Sequence, residues 1–245
     1  MGIPVIGCDC DVCQSEVKEN QRLRPSGMLT VEGKNILLDC TPDYRMQALK
    51  NGIRHVEGVI LTHAHHDHTG GIDDLRMHYM WTKEPIPCLM SEVTSQDIQS
   101  RYPYLFQKEE AKTLVAKFAV ELLPADRGEI TFRGIPMQYF TYEQTGMAVN
   151  GFRVGDFAYV SDIRKFPETV YEDLAGVRVL VLSALRMTPS HIHFSVDEAV
   201  EFGKKVGAEK VWLTHIAHDL DHIKTNTYLP ENVRLAYDGL ELSFE

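Results

Sequence analysis

Gly58-Val59-Ile60-Leu61-Thr62-His63-Ala64-His65-His66-Asp67-His68 is the stretch on which the reading of this chain turns. Its first four residues are apolar and read as a short buried strand. Its last six hold four histidines and an aspartate. A chain leaving a strand end can aim several side chains at one point. Imidazole nitrogen and carboxylate oxygen together are the donors that suit Zn, Mn or Fe. The spacing assigns His63 and His65 to one metal and Asp67 and His68 to a second. Two metals about 4 Å apart can share one water and lower its pKa. The plainer alternative, four histidines scattered in a polar loop, makes such crowding a coincidence.

Working outward, strands are expected at 28–31 and 35–38, joined across Glu32-Gly33-Lys34. Helices are expected at 42–51, stopped by Gly52, and at 69–80. A strand at 86–90 precedes a Ser-capped helix at 91–101. A strand-rich stretch follows at 118–123, 130–132, 136–140, 151–154 and 157–160. The pattern then runs helix 168–174, apolar strand 177–182, helix 195–206 and strand 210–213. Strands at 233–236 and 240–244 close the chain as a hairpin across Asp238-Gly239. Interleaved strands and helices of this kind predict an α+β protein built as a four-layer αββα sandwich. It is read as one domain over 1–245, with an irregular segment at 1–27.

The chain has 245 residues, 25 basic and 35 acidic, for a net charge of −10. A protein gripping a long nucleic-acid backbone presents a basic face, so nucleic acid is not the expected partner. There is no apolar run near the length of about 18 residues that a membrane span requires, and no leader-like start. The cysteines number five, three of them bunched as Cys8-x-Cys10-x₂-Cys13. Bunched cysteines in an unsecreted chain suggest a metal site before a disulfide framework, and a reducing cytoplasm as the location. Structural zinc wants four ligands, and His218, three residues after His215, is the candidate fourth. Cys40 and Cys88 lie in apolar surroundings and read as core.

His63-Ala64-His65-His66-Asp67-His68 resembles the HxHxDH signature of the metallo-β-lactamase superfamily. That resemblance implies a bridging Asp at a strand end, matched by Ser161-Asp162, and a last His after a buried strand, matched by Thr214-His215. It also implies a third His for the first metal, where this chain reads Tyr139-Phe140-Thr141-Tyr142-Glu143-Gln144-Thr145. The position falls to Thr141 or Tyr142, and Glu143 or Thr141 is the expected replacement ligand. Gly2-Ile3-Pro4, the three cysteines and Thr214-His215-Ile216-Ala217-His218 narrow the likeness to the phosphoribosyl 1,2-cyclic phosphate phosphodiesterases of phosphonate breakdown. By that likeness, Cys8, Cys10, Cys13 and His218 hold structural zinc. The active-site set His63, His65, Asp67, His68, Asp162 and His215 holds one or two Zn²⁺ or Mn²⁺. His193, in His193-Phe194-Ser195, is the general acid or phosphate contact, with His191 its rival. The family pattern has a strand ahead of Gly2-Ile3-Pro4, which implies that either the true start lies upstream or a first strand is missing.

The function so implied is hydrolysis of a small, cyclic phosphate ester by metal-activated hydroxide, with Asp67 orienting the nucleophile. A homodimer is the expected assembly. The alternatives on the same fold are a protein like the pyrroloquinoline-quinone B protein and a tRNA 3′-processing nuclease. From another class comes a degenerate metal- or ligand-binding protein without turnover, motivated by the missing His.

Overall fold

The computed structural model describes residues 2–106 and 115–245. The chain divides into two compact units, each with its own sheet. The amino-terminal unit comprises 24–125 and 131–135; the carboxy-terminal unit comprises 1–23, 126–130 and 136–245.

The amino-terminal unit is built on five strands: β1 (Gly27–Val31), β2 (Lys34–Leu38), β3 (Gly58–Ile60), β4 (Ile86–Met90) and β5 (Phe118–Leu122), hydrogen-bonded in that order. The β1–β2 hairpin turns on Glu32 and Gly33, both at positive φ, the geometry that matches strand twist. From β2 onward the pairs are parallel, so the connections carry helices: α1 (Tyr44–Lys50), α2 (His66–Thr69), α3 (Arg76–Thr82) and α4 (Glu92–Arg101). Leu37, Val59, Leu61, Ile86, Met90 and Ile98 pack in its core.

The expected helix at 69–80 is instead broken. α2 ends at Thr69, and α3 starts only at Arg76. Between them, Gly71 lies so close to the end of β2 that a Cβ there would sit 1.9 Å from the Thr41 carbonyl oxygen. Gly71 N–H donates to Cys40 O (2.9 Å) and Cys40 N–H to His68 O (2.8 Å). Backbone contact with the strand end wins over helix continuity.

The carboxy-terminal unit holds a sheet in the order β12-β11-β10-β9-β8-β7-β6. Its strands are β6 (Arg127–Phe132), β7 (Ile135–Gln144), β8 (Met147–Val154), β9 (Phe157–Val160), β10 (Val179–Ser183), β11 (Lys210–Thr214) and β12 (Val233–Leu235). Hairpins run β7 to β8 to β9; β9, β10, β11 and β12 are parallel. The parallel strands are linked through α5 (Thr169–Asp173), α6 (Val196–Val206) and α7 (His222–Tyr228). α6 starts with a capping box between Ser195 and Glu198 and ends at Gly207 with φ 80°. Its Val196, Ala199 and Phe202 pack on Leu180, Leu182 and Leu213.

β7 and β8 are longer than expected because Thr145-Gly146, at φ 49° and 82°, makes a tight turn that the sequence reading passed over. The expected closing hairpin does not form. Leu240 N–H donates to Tyr237 O, so the chain does turn, but residues 240–245 make no strand. Instead Asp238 accepts from Leu23 N–H, and Glu245 exchanges hydrogen bonds with Asp156. β12 pairs with β11, and its Leu235 N–H donates to Asn226 Oδ1. Among the described residues, no helix is long and apolar enough to cross a membrane.

Gly71→Ala is expected to destabilise the protein by about 3 kcal/mol or more, since the clash is with backbone that has nowhere to go. Thermal denaturation would show this as a melting temperature lower by about 6–12 °C.

Candidate metal centre

In the amino-terminal unit the histidine stretch leaves β3 and curls at once into α2. Leu61 N–H still pairs with Leu89 O, after which Thr62 and His63 turn inward, both fully buried. His65 caps α2, where its carbonyl accepts from His68 N–H and from Thr69 Oγ1. This turn brings three imidazoles together: the rings of His63 and His65 lie 4.7 Å apart and those of His63 and His68 4.2 Å. His63 Nε2 is 3.0 Å from His65 Nδ1, about the edge length between two ligands of one zinc with bonds near 2.0–2.1 Å. Asp67 is half-buried, with Oδ2 4.0 Å from His68 Nε2, and His66 is exposed.

The residue that orders this group is one the sequence reading did not single out. Asp39, fully buried one residue past β2, accepts from Thr62 N–H (2.8 Å), Thr62 Oγ1 (2.9 Å) and His68 Nδ1 (2.7 Å). Thr62 Oγ1 in turn accepts from His63 Nδ1 at 2.9 Å. Both imidazoles are thereby fixed in the tautomer that binds a metal through Nε2, the familiar role of a carboxylate behind a ligating histidine. Its signal was visible: a lone acid directly after Ile36-Leu37-Leu38.

In the carboxy-terminal unit, β9 and β11, which flank β10 on either side, deliver Asp162 and His215 from their carboxyl ends. Both adopt left-handed backbone, φ 56° and 57°, as does Asp39 at 60°. Such strain in non-glycine residues collects at functional sites. Asp162 Oδ1 is 3.3 Å from His215 Nε2. His193 stacks on His215 with centroids 4.8 Å apart, held by the Ser190 hydroxyl, which accepts from His193 N–H. Asp162, His193 and His215 are all buried and offer donor atoms within 4.8 Å of one another. His191 is exposed.

The expected replacement ligands are corrected here. Thr141 Oγ1 accepts from Asn150 Nδ2, and Glu143 is exposed with its backbone paired to Lys165. Tyr142 donates its hydroxyl to Ser161 O at 2.5 Å. The side chain that reaches Asp162 is Gln144, buried at the end of β7, with Nε2 donating to Asp162 Oδ2 at 3.0 Å. Strand alternation puts Gln144 on one face and Glu143 on the other.

A second donor set lies in the same unit. His218 Nδ1 is 3.2, 3.4 and 3.6 Å from the Sγ atoms of Cys8, Cys10 and Cys13. A tetrahedral zinc with Zn–S near 2.3 Å and Zn–N near 2.0 Å sets sulfur–nitrogen edges of about 3.5 Å, so the set fits zinc. The Cys13 backbone N–H is the main cause lowering the Cys10 thiol to about 6, whereas burial pushes Cys13 up. The segment is tied down further. Asn20 donates to Asp221 and accepts from His222 N–H, and buried Arg22 bonds His222 and Ala236 O. Burial lowers Arg22 to about 10.

Residues 34–216 match the family described as "Beta-lactamase superfamily domain". The chain belongs to the metallo-β-lactamase superfamily and has its fold of mixed sheets flanked by helices. The crystal structure of a new diphosphatase from the PhnP family is 35% identical with TM-score 0.90, covering 100% of this chain and 94% of that one. Zn²⁺-bound PqqB from Methylobacterium extorquens has TM-score 0.75 at 16% identity, covering 99% and 96%, a likeness of fold alone. Among curated proteins, an octanoyltransferase of Porphyromonas gingivalis (strain ATCC BAA-308 / W83) is 30% identical over 246 residues. The match takes in 98% of this chain but 49% of that protein, so the chain spans about half of that relative's length. The anti-Pycsar protein Apyc1 of Paenibacillus harenae is 20% identical over 220 residues, 82% of this chain and 86% of that protein.

Asp39→Asn turns an amide N–H₂ toward donors that need an acceptor. It is expected to weaken metal binding by about 10–100-fold, read by competition with a chromogenic chelator. Cys10→Ser is expected to remove one zinc per chain by elemental analysis and to lower the melting temperature, because metal binding is coupled to folding.

Proposed function

We propose that the chain is a phosphoesterase acting on a small phosphodiester or diphosphate, with His63, His65, Asp67 and His68 as the metal ligands of the amino-terminal unit and Asp162 and His215 as those of the carboxy-terminal unit. The observation that carries the reading is His193: a second buried imidazole of the carboxy-terminal unit, 4.8 Å from that of His215, on a loop rather than a strand end. A buried imidazole beside a metal-ligating pair is placed to hand a proton to a leaving oxygen or to hold a phosphoryl oxygen. A divalent metal, Zn²⁺ or Mn²⁺ in this reading, supplies water of lowered pKa and neutralises charge on the phosphoryl group.

The residues' own contributions follow from the geometry. Asp39 and Thr62 keep His63 and His68 oriented for a metal. Asp67, at the start of α2, would bind metal and orient the attacking water. His193 would protonate the leaving oxygen, with Ser190 fixing its loop. Cys8, Cys10, Cys13 and His218 serve stability through a zinc apart from the chemistry. Two substrate readings share this machinery. The cyclic phosphodiester rests on the match of the cysteine clip and Thr214-His215-x-x-His218. The diphosphate rests on full-length similarity to the PhnP-family diphosphatase. Neither the tRNA nuclease nor the quinone-cofactor reading gains from likenesses of 18% and 16% identity. A small-molecule substrate, a homodimer and a cytoplasmic location complete the proposal.

The test is a panel of bis(p-nitrophenyl) phosphate, a five-membered cyclic phosphodiester and a nucleoside diphosphate, each assayed with Mn²⁺ or Zn²⁺. Turnover of at least one is expected, with His193→Ala lowering kcat by about 10²–10⁴-fold at unchanged metal content. No turnover of any of the three, with metal bound, would overturn the phosphoesterase reading.

A further inference from the structure

The two oxygens of Asp162 face different chemistry. Oδ1 accepts from Ser161 Oγ at 3.1 Å and lies 3.3 Å from His215 Nε2, an imidazole nitrogen of the kind that binds metal. Oδ2 is held instead by the amide of Gln144 at 3.0 Å. Gln144 is 2% exposed, and its Nε2 also sits 3.1 Å from His193 Nε2. Its other amide atom, Oε1, is buried with no hydrogen-bond partner among the described residues.

An amide nitrogen carries two donors and no lone pair. A cation arriving at Oδ2 would therefore meet the positive end of the amide dipole in a site closed to water, where such terms are least screened. Rotating the amide to offer Oε1 would set two acceptors, Oε1 and Oδ2, against each other in the absence of a cation. The orientation present leaves a buried carbonyl oxygen unsatisfied, which is costly, and keeps the bond to Asp162.

We propose that Gln144 sets the metal count of the centre: by occupying Oδ2 it makes Asp162 a ligand to one tightly held metal, on the Oδ1 side with His215, and keeps a second metal weak. Gln144 acts through Asp162 and is a positioning residue. The inference rests on the metal dependence of the fold and not on the choice of substrate. It extends to the preference among metals, because a centre with one strong and one weak site fills its second site only at high metal concentration.

The experiment is calorimetric titration of the full chain with Mn²⁺ after the cysteine set has been loaded with zinc and excess metal removed. Wild type is expected to bind one Mn²⁺ tightly and a second about 100-fold or more weakly, the upper end of what an outer contact commands. Gln144→His, which offers a lone pair where the amide has donors, is expected to bring the two sites within about tenfold of each other. Two matched sites in wild type would overturn the proposal, and so would a Gln144→His protein that folds and still binds one. Should that variant not fold, the wild-type isotherm decides alone. No substrate enters the measurement, so an inactive phosphoester panel and a failed metal count are separate results.

Discussion

Asp39 is sealed from water just beyond β2, and three groups converge on its carboxylate: the Thr62 backbone N–H, the Thr62 hydroxyl and His68 Nδ1. A buried ionised carboxylate without such partners would cost several kcal/mol. The hydrogen bonds therefore cannot be given up separately: they fix where β3 ends, how the His stretch turns and which nitrogen each imidazole presents. Gly71 and Cys40 clamp the other end of the same turn by backbone bonds. The arrangement of the histidines in the amino-terminal unit follows from this one carboxylate.

The carboxy-terminal unit solves the same problem with Asp162. It, too, is a buried acid in left-handed backbone at the end of a strand, with a histidine 3.3 Å away. Its partners differ, Ser161 on one oxygen and Gln144 on the other. Asp39 holds His68 by Nδ1, and His63 through Thr62, and stands behind them, whereas Asp162 lies with its own carboxylate against His215. The stability of the segment ahead of this unit's sheet rests on a separate device, the Cys8, Cys10, Cys13 and His218 set, reinforced by Asn20 and Arg22.

Much of this was legible in the sequence because it is local. Apolar runs ending in polar residues located β3, β9 and β11, and the His and Cys spacings located both donor sets, with Asp162, His193, His215 and His218 placed by resemblance. What the sequence hid is non-local or depends on register. Asp39 is 29 residues from His68, and nothing in periodicity joins them. Gln144 was passed over for Glu143 because an acid is the more obvious ligand, whereas strand parity, visible only once the Thr145-Gly146 turn is recognised, decides which side chain is buried. The closing hairpin failed for a similar reason: Asp238-Gly239 supplies a turn, but the chain beyond it is tied at Glu245 to Asp156, 89 residues away in sequence.

The central claim is the proposal that this chain is a metal-dependent phosphoesterase. The most direct measurement is the hydrolysis rate of bis(p-nitrophenyl) phosphate by chelator-stripped protein as Mn²⁺ is titrated back, with metal per chain determined on the same samples. The account predicts a rate near background in the stripped protein that rises with occupancy beyond the zinc held by the cysteines. A rate that is unchanged by stripping, or that stays at background at full occupancy, would contradict it.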